Sequence, residues 1–506
     1  MATSSRKSKN ISLILIYTFL YFSSRSLWSQ SVLSAFIYLL KDNDPEYVGL
    51  ITGIMGVTQL ISSFPSGWAA DKYGRQFVLR CGSIVGFVGV VTTLYACLKQ
   101  RFWILATSLG LWGIYNGMTS TAIMALFADS IQEEERSSYF TKRMIVTRLG
   151  SAVGPAVAII MFTFLGDQWR VRDCSIVMCV GQVITLPPLM LLCFMKDEKA
   201  NDMKTSVAST GPSLTSDEEG DASNHIIEGT QSGHDPDECL NENYFCQEKS
   251  EGKDESGRHH SNNLPISTDI ILDKKSLTEP LLDLSATSND TNINNDDENY
   301  SFLESFLSEQ RCIPILIAIA DVTAGFASGM SIRYFPIFFL ENLDLSPVWL
   351  QSLFLCTTLF QGLILGKVAE IIGTKIGRVQ AAALFKWSGI LSYILLIVAY
   401  KCHFAKLLIC TLFVLRTSFM NSTGALTKSV LMDHVPSNER AKWSIVESLN
   451  AFSWSGSAFI GGVLVKKEGI LFNFYVTIAL YTAAPLPLVC LLKGLRKTKL
   501  QSCLIL

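Results

Sequence analysis

The chain has 506 residues, 49% of them apolar and only 17% charged, where a soluble domain ordinarily carries about 25% charge. Its formal net charge of −2 averages two unlike parts: residues 200–300 hold 22 of the 44 acidic residues but 6 of the 42 basic ones, so that segment carries −16 and the remainder +14. The 13 cysteines form no C-x-x-C pair, and Cys174, Cys179, Cys193, Cys356 and Cys490 lie in apolar runs, which argues against a disulfide framework or metal site and for small buried hydrophobes.

In chain order, Met1–Asn10 is short and basic and leads into an apolar stretch without a small-residue cleavage site, the pattern of a first membrane helix and not of a removed signal peptide. A bilayer core about 30 Å thick needs roughly 20 apolar helical residues. Runs of that kind cover residues 11–39, 47–69, 79–98, 103–128, 139–165 and 174–195, then 313–340, 348–371, 379–400, 404–431, 441–465 and 470–492. The reading is an all-α membrane protein in four parts: a six-helix bundle over 1–199, an acidic loop over 200–310, a second six-helix bundle over 311–494, and a tail over 495–506. The loop is rich in Ser, Asn, Asp, Glu and Gly and cannot bury enough apolar surface to offset its ordering entropy, so disorder is expected there. Its apolar island, Ile266–Leu284, fits a docking or sorting segment.

Lysine and arginine counts orient the bundles. With the N-terminus inside, the inner loops contain Lys72, Arg75, Arg80, Arg136, Lys142, Lys375, Arg378, Arg440 and Lys442. The outer loops hold fewer, among them Lys41, Lys99, Arg101, Arg170 and Arg172. Both termini and the acidic loop then face the cytoplasm. On that side the chain ends Cys503-Leu-Ile-Leu506 behind Lys493, Arg496, Lys497 and Lys499, a pattern that fits a prenylation box at Cys503.

The two halves repeat short signatures. After the second span comes Gly67-Trp-Ala-Ala-Asp71-Lys72-Tyr-Gly74-Arg75; after the eighth comes Gly366-Lys-Val-Ala-Glu370-Ile-Ile-Gly373. Each has an acid four residues and a glycine seven residues beyond its first glycine. Asp129 to Arg136 is likewise echoed by Asp433 to Arg440. At these residues the chain resembles the major facilitator superfamily, whose G-x-x-x-D-[RK]-x-G-R loop is complete here. Gly150-Ser-Ala-Val-Gly154-Pro155 resembles the core of the family's antiporter-type motif, with Val157-Ala158 where a glycine pair is expected. The resemblance implies two pseudo-symmetric bundles, a central site and alternating access. It also implies gating roles for Gly67, Asp71, Lys72, Gly74, Arg75, Asp129, Arg136, Gly366, Glu370, Gly373, Asp433 and Arg440. Asp71 is expected to pair with Arg75 or a neighbouring span. Gly49, Gly53 and Gly56 are expected to be helix-packing contacts.

Ionisable residues at membrane depth each need an explanation. Arg25, Arg148 and Arg416 lie near mid-depth, and Arg25 shares its helix face with Ser26, Ser29 and Gln30. Arg333, Asn116 and Asn421 join these as candidate solute contacts, while Asp321 and Glu447 are candidates for proton coupling. Arg143, Lys386 and Lys428 are nearer the inner face, where snorkelling to lipid headgroups is expected. Three mid-depth cations against two acids favour an anionic solute. No partnered histidines, phosphate-binding loop or catalytic constellation appears, so neither metal, cofactor, nucleic acid nor enzyme activity is expected. The reading is a monomeric secondary transporter of a small anion in the bilayer, coupled to protons. The alternatives are a facilitator or antiporter for neutral or cationic solutes, and a non-transporting receptor or scaffold.

Overall fold

Long apolar runs fold as helices because a bilayer leaves no water to satisfy backbone N–H and C=O groups. The computed structural model describes residues 2–131, 135–197, 312–424, 426–427, 430 and 440–486. The acidic loop, Asp433, Lys428, Cys490 and Cys503 lie outside the described residues, as do the side chains of Arg136, Arg440 and Glu447.

The first half comprises α1 (Ala2–Trp28), α2 (Ser31–Leu40), α3 (Glu46–Tyr73), α4 (Arg75–Lys99), α5 (Phe102–Asp129), α6 (Arg136–Leu165), α7 (Val171–Ile184) and α8 (Leu186–Phe194). The second comprises α9 (Cys312–Ile332), α10 (Phe335–Glu341), α11 (Pro347–Leu359), α12 (Gly366–Ile376), α13 (Arg378–Lys401), α14 (Lys406–Ser422), α15 (Arg440–Glu468) and α16 (Ile470–Ala483). A π-helical stretch, Phe360–Leu365, joins α11 to α12. Among the described residues, eight stretches are long and apolar enough to cross a membrane by length and composition; the remaining expected spans correspond to α5, α14, α15 and α16.

Four expected spans are therefore interrupted, and each interruption has a local cause or consequence. The first breaks at Gln30, whose ψ of −112° is not helical. The sixth breaks at Thr185, just ahead of Pro187-Pro188, and the seventh at Arg333-Tyr334, just ahead of Pro336, since proline supplies no N–H to the preceding turn. The eighth widens into the π-helical turn. The first and seventh breaks occupy matching places in the two halves and meet: Arg333 Nη1 donates to the Ser29 carbonyl at 2.5 Å.

Each half has its own core. In the first, Trp28, Trp112 and Tyr115 pack at tilted and edge-on angles among Leu and Val side chains; in the second, Phe335, Phe338, Phe413 and Phe474 pack together, with Phe335 and Phe474 stacked. The cysteine expectation holds for Cys174, which is buried, but Cys193 and Cys356 are exposed on the outer surface of the helices, where a thiol meets lipid as readily as a methyl group does.

The halves pack together most closely along α3 with α15 and along α6 with α11. Gly49, Gly53 and Gly56 are indeed packing glycines, and the helix they admit belongs to the other half. A Cβ on Gly49 would sit 2.5 Å from the Ala458 carbonyl, and one on Gly56 would sit 2.1 Å from the Ser455 Cβ. Polar contacts close the same face. Tyr38 donates to Glu341 at 2.9 Å, Gln351 to Ser31 at 2.9 Å, Trp169 to the Leu345 carbonyl at 2.8 Å, and the Val348 amide to Asp167 at 2.8 Å. Lys466 reaches Asp44 at 2.8 Å and Glu46 at 2.6 Å. Its hydrogen bonds to Asp44 and then Glu46 hold the ammonium above its ordinary range, so the latch stays charged until well beyond neutral pH. Replacing Gly49 with leucine should wedge this seal apart and leave both bundles folded. Spin-label distances across the 41–45 and 466–469 loops should lengthen at unchanged helical content; unchanged distances would count against the seal.

Candidate functional site

Beneath the seal lies a cavity of about 560 Å³, bounded by both halves. That volume is in the range of small-molecule sites. Arg25 and Gln59 supply its polar wall from the first half; Asp321, Ser328, Lys386, Asn421, Thr423, Thr427 and Asn450 supply it from the second, with Trp454 and Tyr481 as rings.

Arg25 is positioned by a chain of hydrogen bonds. Its Nη1 donates to the Tyr21 hydroxyl at 2.8 Å and to Asn116 Oδ1 at 2.9 Å, and Tyr21 donates to the same Asn116 oxygen at 2.7 Å. Helical spacing puts Tyr17, Tyr21 and Arg25 on one face of α1, four residues apart. Tyr17 and Tyr21 stack at 5.4 Å, and Tyr17 shares a 2.7 Å hydrogen bond with Tyr115. The partners of Arg25 among the described residues are neutral, so its charge faces the cavity uncancelled.

Across the cavity, Lys386 pairs with Asp321 at 3.2 Å. This corrects the snorkelling expectation for Lys386. The side chain is buried, and a carboxylate on α9 lies within ion-pair distance, so the ammonium is satisfied inside the bundle. Arg143 also stays inside its bundle, with its guanidinium over the Phe127 ring at 5.8 Å.

The seven expected solute contacts divide. Arg25 and Asn421 line the cavity, and Asn116 holds Arg25 in place. Gln30 lies at the α1–α2 break, and Arg333 is committed to the seal, with Trp454 under its guanidinium at 5.3 Å. Arg148 lies between the halves, where the Gln361 amide oxygen, turned toward it, accepts from both terminal nitrogens at 2.9 and 2.8 Å. Arg416 is 1% exposed and sits among Phe335, Tyr393 and Tyr481 at 4.9, 4.6 and 5.5 Å. Tyr481 stands between it and the cavity. Mid-depth position identified these cations, but sequence alone cannot say which ring or amide meets each one. Lys386 was missed as a cavity residue because snorkelling explained it first, and Tyr481 and Trp454 because an aromatic ring in an apolar helix carries no signal of which face it lines.

The loop signature also differs from expectation. Gly74 has φ 87° between α3 and α4, a conformation that favours glycine. Arg75 pairs with Asp129 at 2.6 Å and not with Asp71, which is exposed and makes no ion pair among the described residues; the Arg75 amide donates to Asp197 at 2.9 Å. In the second half the turn glycine is Gly377, with φ 103°, and Gly366 and Gly373 lie inside α12. The true echo is therefore Lys72-Tyr-Gly74-Arg75 against Lys375-Ile-Gly377-Arg378. Glu370 stands on the exposed side of α12, with Thr374 in the place that Asp71 takes. Gly377→Ala should lower thermal stability by about 1 kcal/mol through left-handed strain, whereas Gly366→Ala should be close to neutral. Equal effects in melting experiments would refute this assignment of the turn.

Two apolar-walled bundles with a polar cavity between them define a multi-pass membrane protein of the transporter type. The family model described as Major Facilitator Superfamily matches residues 14–462, and the chain belongs to that family. It is 28% identical over 151 residues to the enterobactin exporter EntS of Shigella flexneri, covering 29% of this chain and 35% of that one. It is 30% identical over 105 residues to an uncharacterized transporter of Buchnera aphidicola, covering 21% of this chain and 25% of that one. The matched stretches thus span about a third or less of these curated relatives. Among solved structures, the fold is similar to a D-xylose–proton symporter, with TM-score 0.61 at 11% identity over 96% of each chain. It is also similar to a bacterial homologue of the human lysosomal transporter Spinster in an inward-facing, unoccupied conformation, with TM-score 0.58 at 12% identity over 97% of this chain and 98% of that one.

Proposed function

We propose that the chain is a secondary transporter that moves a small anionic solute by alternating access, with Arg25 as the central contact and Asp321 as the proton-coupling group. The observation that carries the reading is that Arg25 meets only neutral partners among the described residues, in a cavity whose other described cation, Lys386, is paired with Asp321. A cation with only neutral hydrogen-bond partners in a low-dielectric cleft favours an anion strongly, and a guanidinium can meet a carboxylate or phosphate through two parallel hydrogen bonds. With both termini in the cytoplasm, as the lysine and arginine bias suggests, the sealed face is outer and the cavity belongs to the inward-facing state.

Coupling follows from the second half. Protonating Asp321 would release Lys386 and add one positive charge to the cavity, so a proton and an anion would favour each other's binding. Asp71, free in this state, is available to pair when the inner face closes, which is the gating role its loop implies. In proteoliposomes, Arg25→Lys should raise KM for the transported anion by about tenfold or more with the protein still folded, because the charge stays and the planar fork is lost. Asp321→Asn should abolish the dependence on a proton gradient while leaving anion exchange in place. Flux restricted to cations or neutral solutes would sink the anion assignment, and gradient-driven uptake by Asp321→Asn would remove the coupling role.

A further inference from the structure

The cavity wall facing Arg25 has its own chemistry, and it narrows the class of anion. Resting on the anion reading above, we propose that the solute is a polyhydroxylated organic monoanion of the sugar-acid kind, bound by its acidic group at Arg25 and by its hydroxyls along the second half. Charge comes first. Arg25 offers one uncancelled positive charge, while Lys386 is held by Asp321 at 3.2 Å with only 8% of its side chain exposed. A monoanion therefore balances the charges of the described cavity residues, and a second acidic group would have to displace Asp321.

The exposed member of that pair is the carboxylate, 34% accessible. A paired carboxylate with open lone pairs calls for neutral donors. Ser328, Asn421 and Thr427 line the same cavity; the Asn421 amide donates to the Thr417 carbonyl and the Thr427 hydroxyl to backbone carbonyls of its own helix, which leaves their oxygens to accept. Such a wall is costly to cover with hydrocarbon, since each polar group loses water and gains nothing in return. Hydroxyls satisfy it at no change in charge. Trp454 adds an aromatic surface at the same cavity, suited to the apolar C–H edge of a polyhydroxylated ring. The space of about 560 Å³ accommodates a solute of that size.

The test is equilibrium binding to the purified full-length protein with three probes: D-glucuronate, D-glucose, which lacks the charge, and hexanoate, which lacks the hydroxyls. Glucuronate should bind at least about tenfold more tightly than either of the others, because a site built for hydroxyls rejects analogues without them. Arg25→Lys should weaken glucuronate by about tenfold. Asn421→Ala and Thr427→Val should weaken glucuronate and leave hexanoate unchanged; they keep the test valid should Arg25→Lys fail to fold. If hexanoate binds as well as glucuronate and depends on Arg25, the hydroxyl inference falls and the anion reading survives. If glucose binds as well as glucuronate and Arg25→Lys changes nothing, both fall. Failure of all three probes to bind would also overturn the sugar-acid class.

Discussion

Inside a bilayer an ionised side chain has no water to return to, and its burial costs several kcal/mol unless the protein supplies other partners. Much of the architecture answers that demand for four arginines, and each answer differs. Arg416 is enclosed by three aromatic rings, where desolvated cation–π contacts of about 2 kcal/mol apiece offset the cost. Arg333 spends a donor on the Ser29 carbonyl beside the helix break and rests on Trp454. Arg148 uses the Gln361 amide. Arg25 is braced by Tyr21 and Asn116, which orient the guanidinium without cancelling it. The first three are structural cations by virtue of what surrounds them. The fourth keeps its charge available, and that difference makes the cavity a candidate site.

The seal above the cavity is built from contacts that are individually weak. Lipid removes most of the hydrophobic drive between helices, so close approach at small residues and polar cross-links must hold the halves together. Gly49 and Gly56 provide the approach; Lys466 with Asp44 and Glu46 provides an exposed link of the kind worth at most about 1 kcal/mol. Such a closure is strong in sum and reversible in parts. A transporter needs that balance, because a seal of deeply buried ion pairs would be too costly to open at each turnover.

The sequence disclosed the helices, the two halves and the family resemblance because membrane spans need long apolar runs and the first loop signature is complete. Arg25 and Asn421 were legible as cavity residues for a related reason: polar side chains in an apolar helix must face something wet or polar. What stayed hidden was three-dimensional. Lys386 lies near enough to the inner end of its span for snorkelling to be reasonable, and only the approach of α9 to α13 brings Asp321 to it. The cage of Arg416 is not announced by its sequence neighbours, because Phe335, Tyr393 and Tyr481 come from three different helices. The breaks at Gln30 and Arg333 were also absorbed into continuous spans, since a break within an apolar run leaves the hydropathy unchanged.

The corrected register of the inner loops carries a consequence for symmetry. Aligning the turns by their positive-φ glycines sets Gly377-Arg378 on Gly74-Arg75 and puts Thr374 opposite Asp71. Glu370 then lies four residues, one helical turn, farther from the loop than Asp71 does. A carboxylate moved by four residues, about 6 Å along the axis, cannot make the same contact with a neighbouring helix end. The basic residue, the glycine and the arginine are thus shared by both halves, because each builds the same tight turn, whereas the acid is not. The loop of the first half therefore carries an acid beside its turn that the loop of the second half lacks, and the pseudo-symmetry of the two halves stops short of that charge.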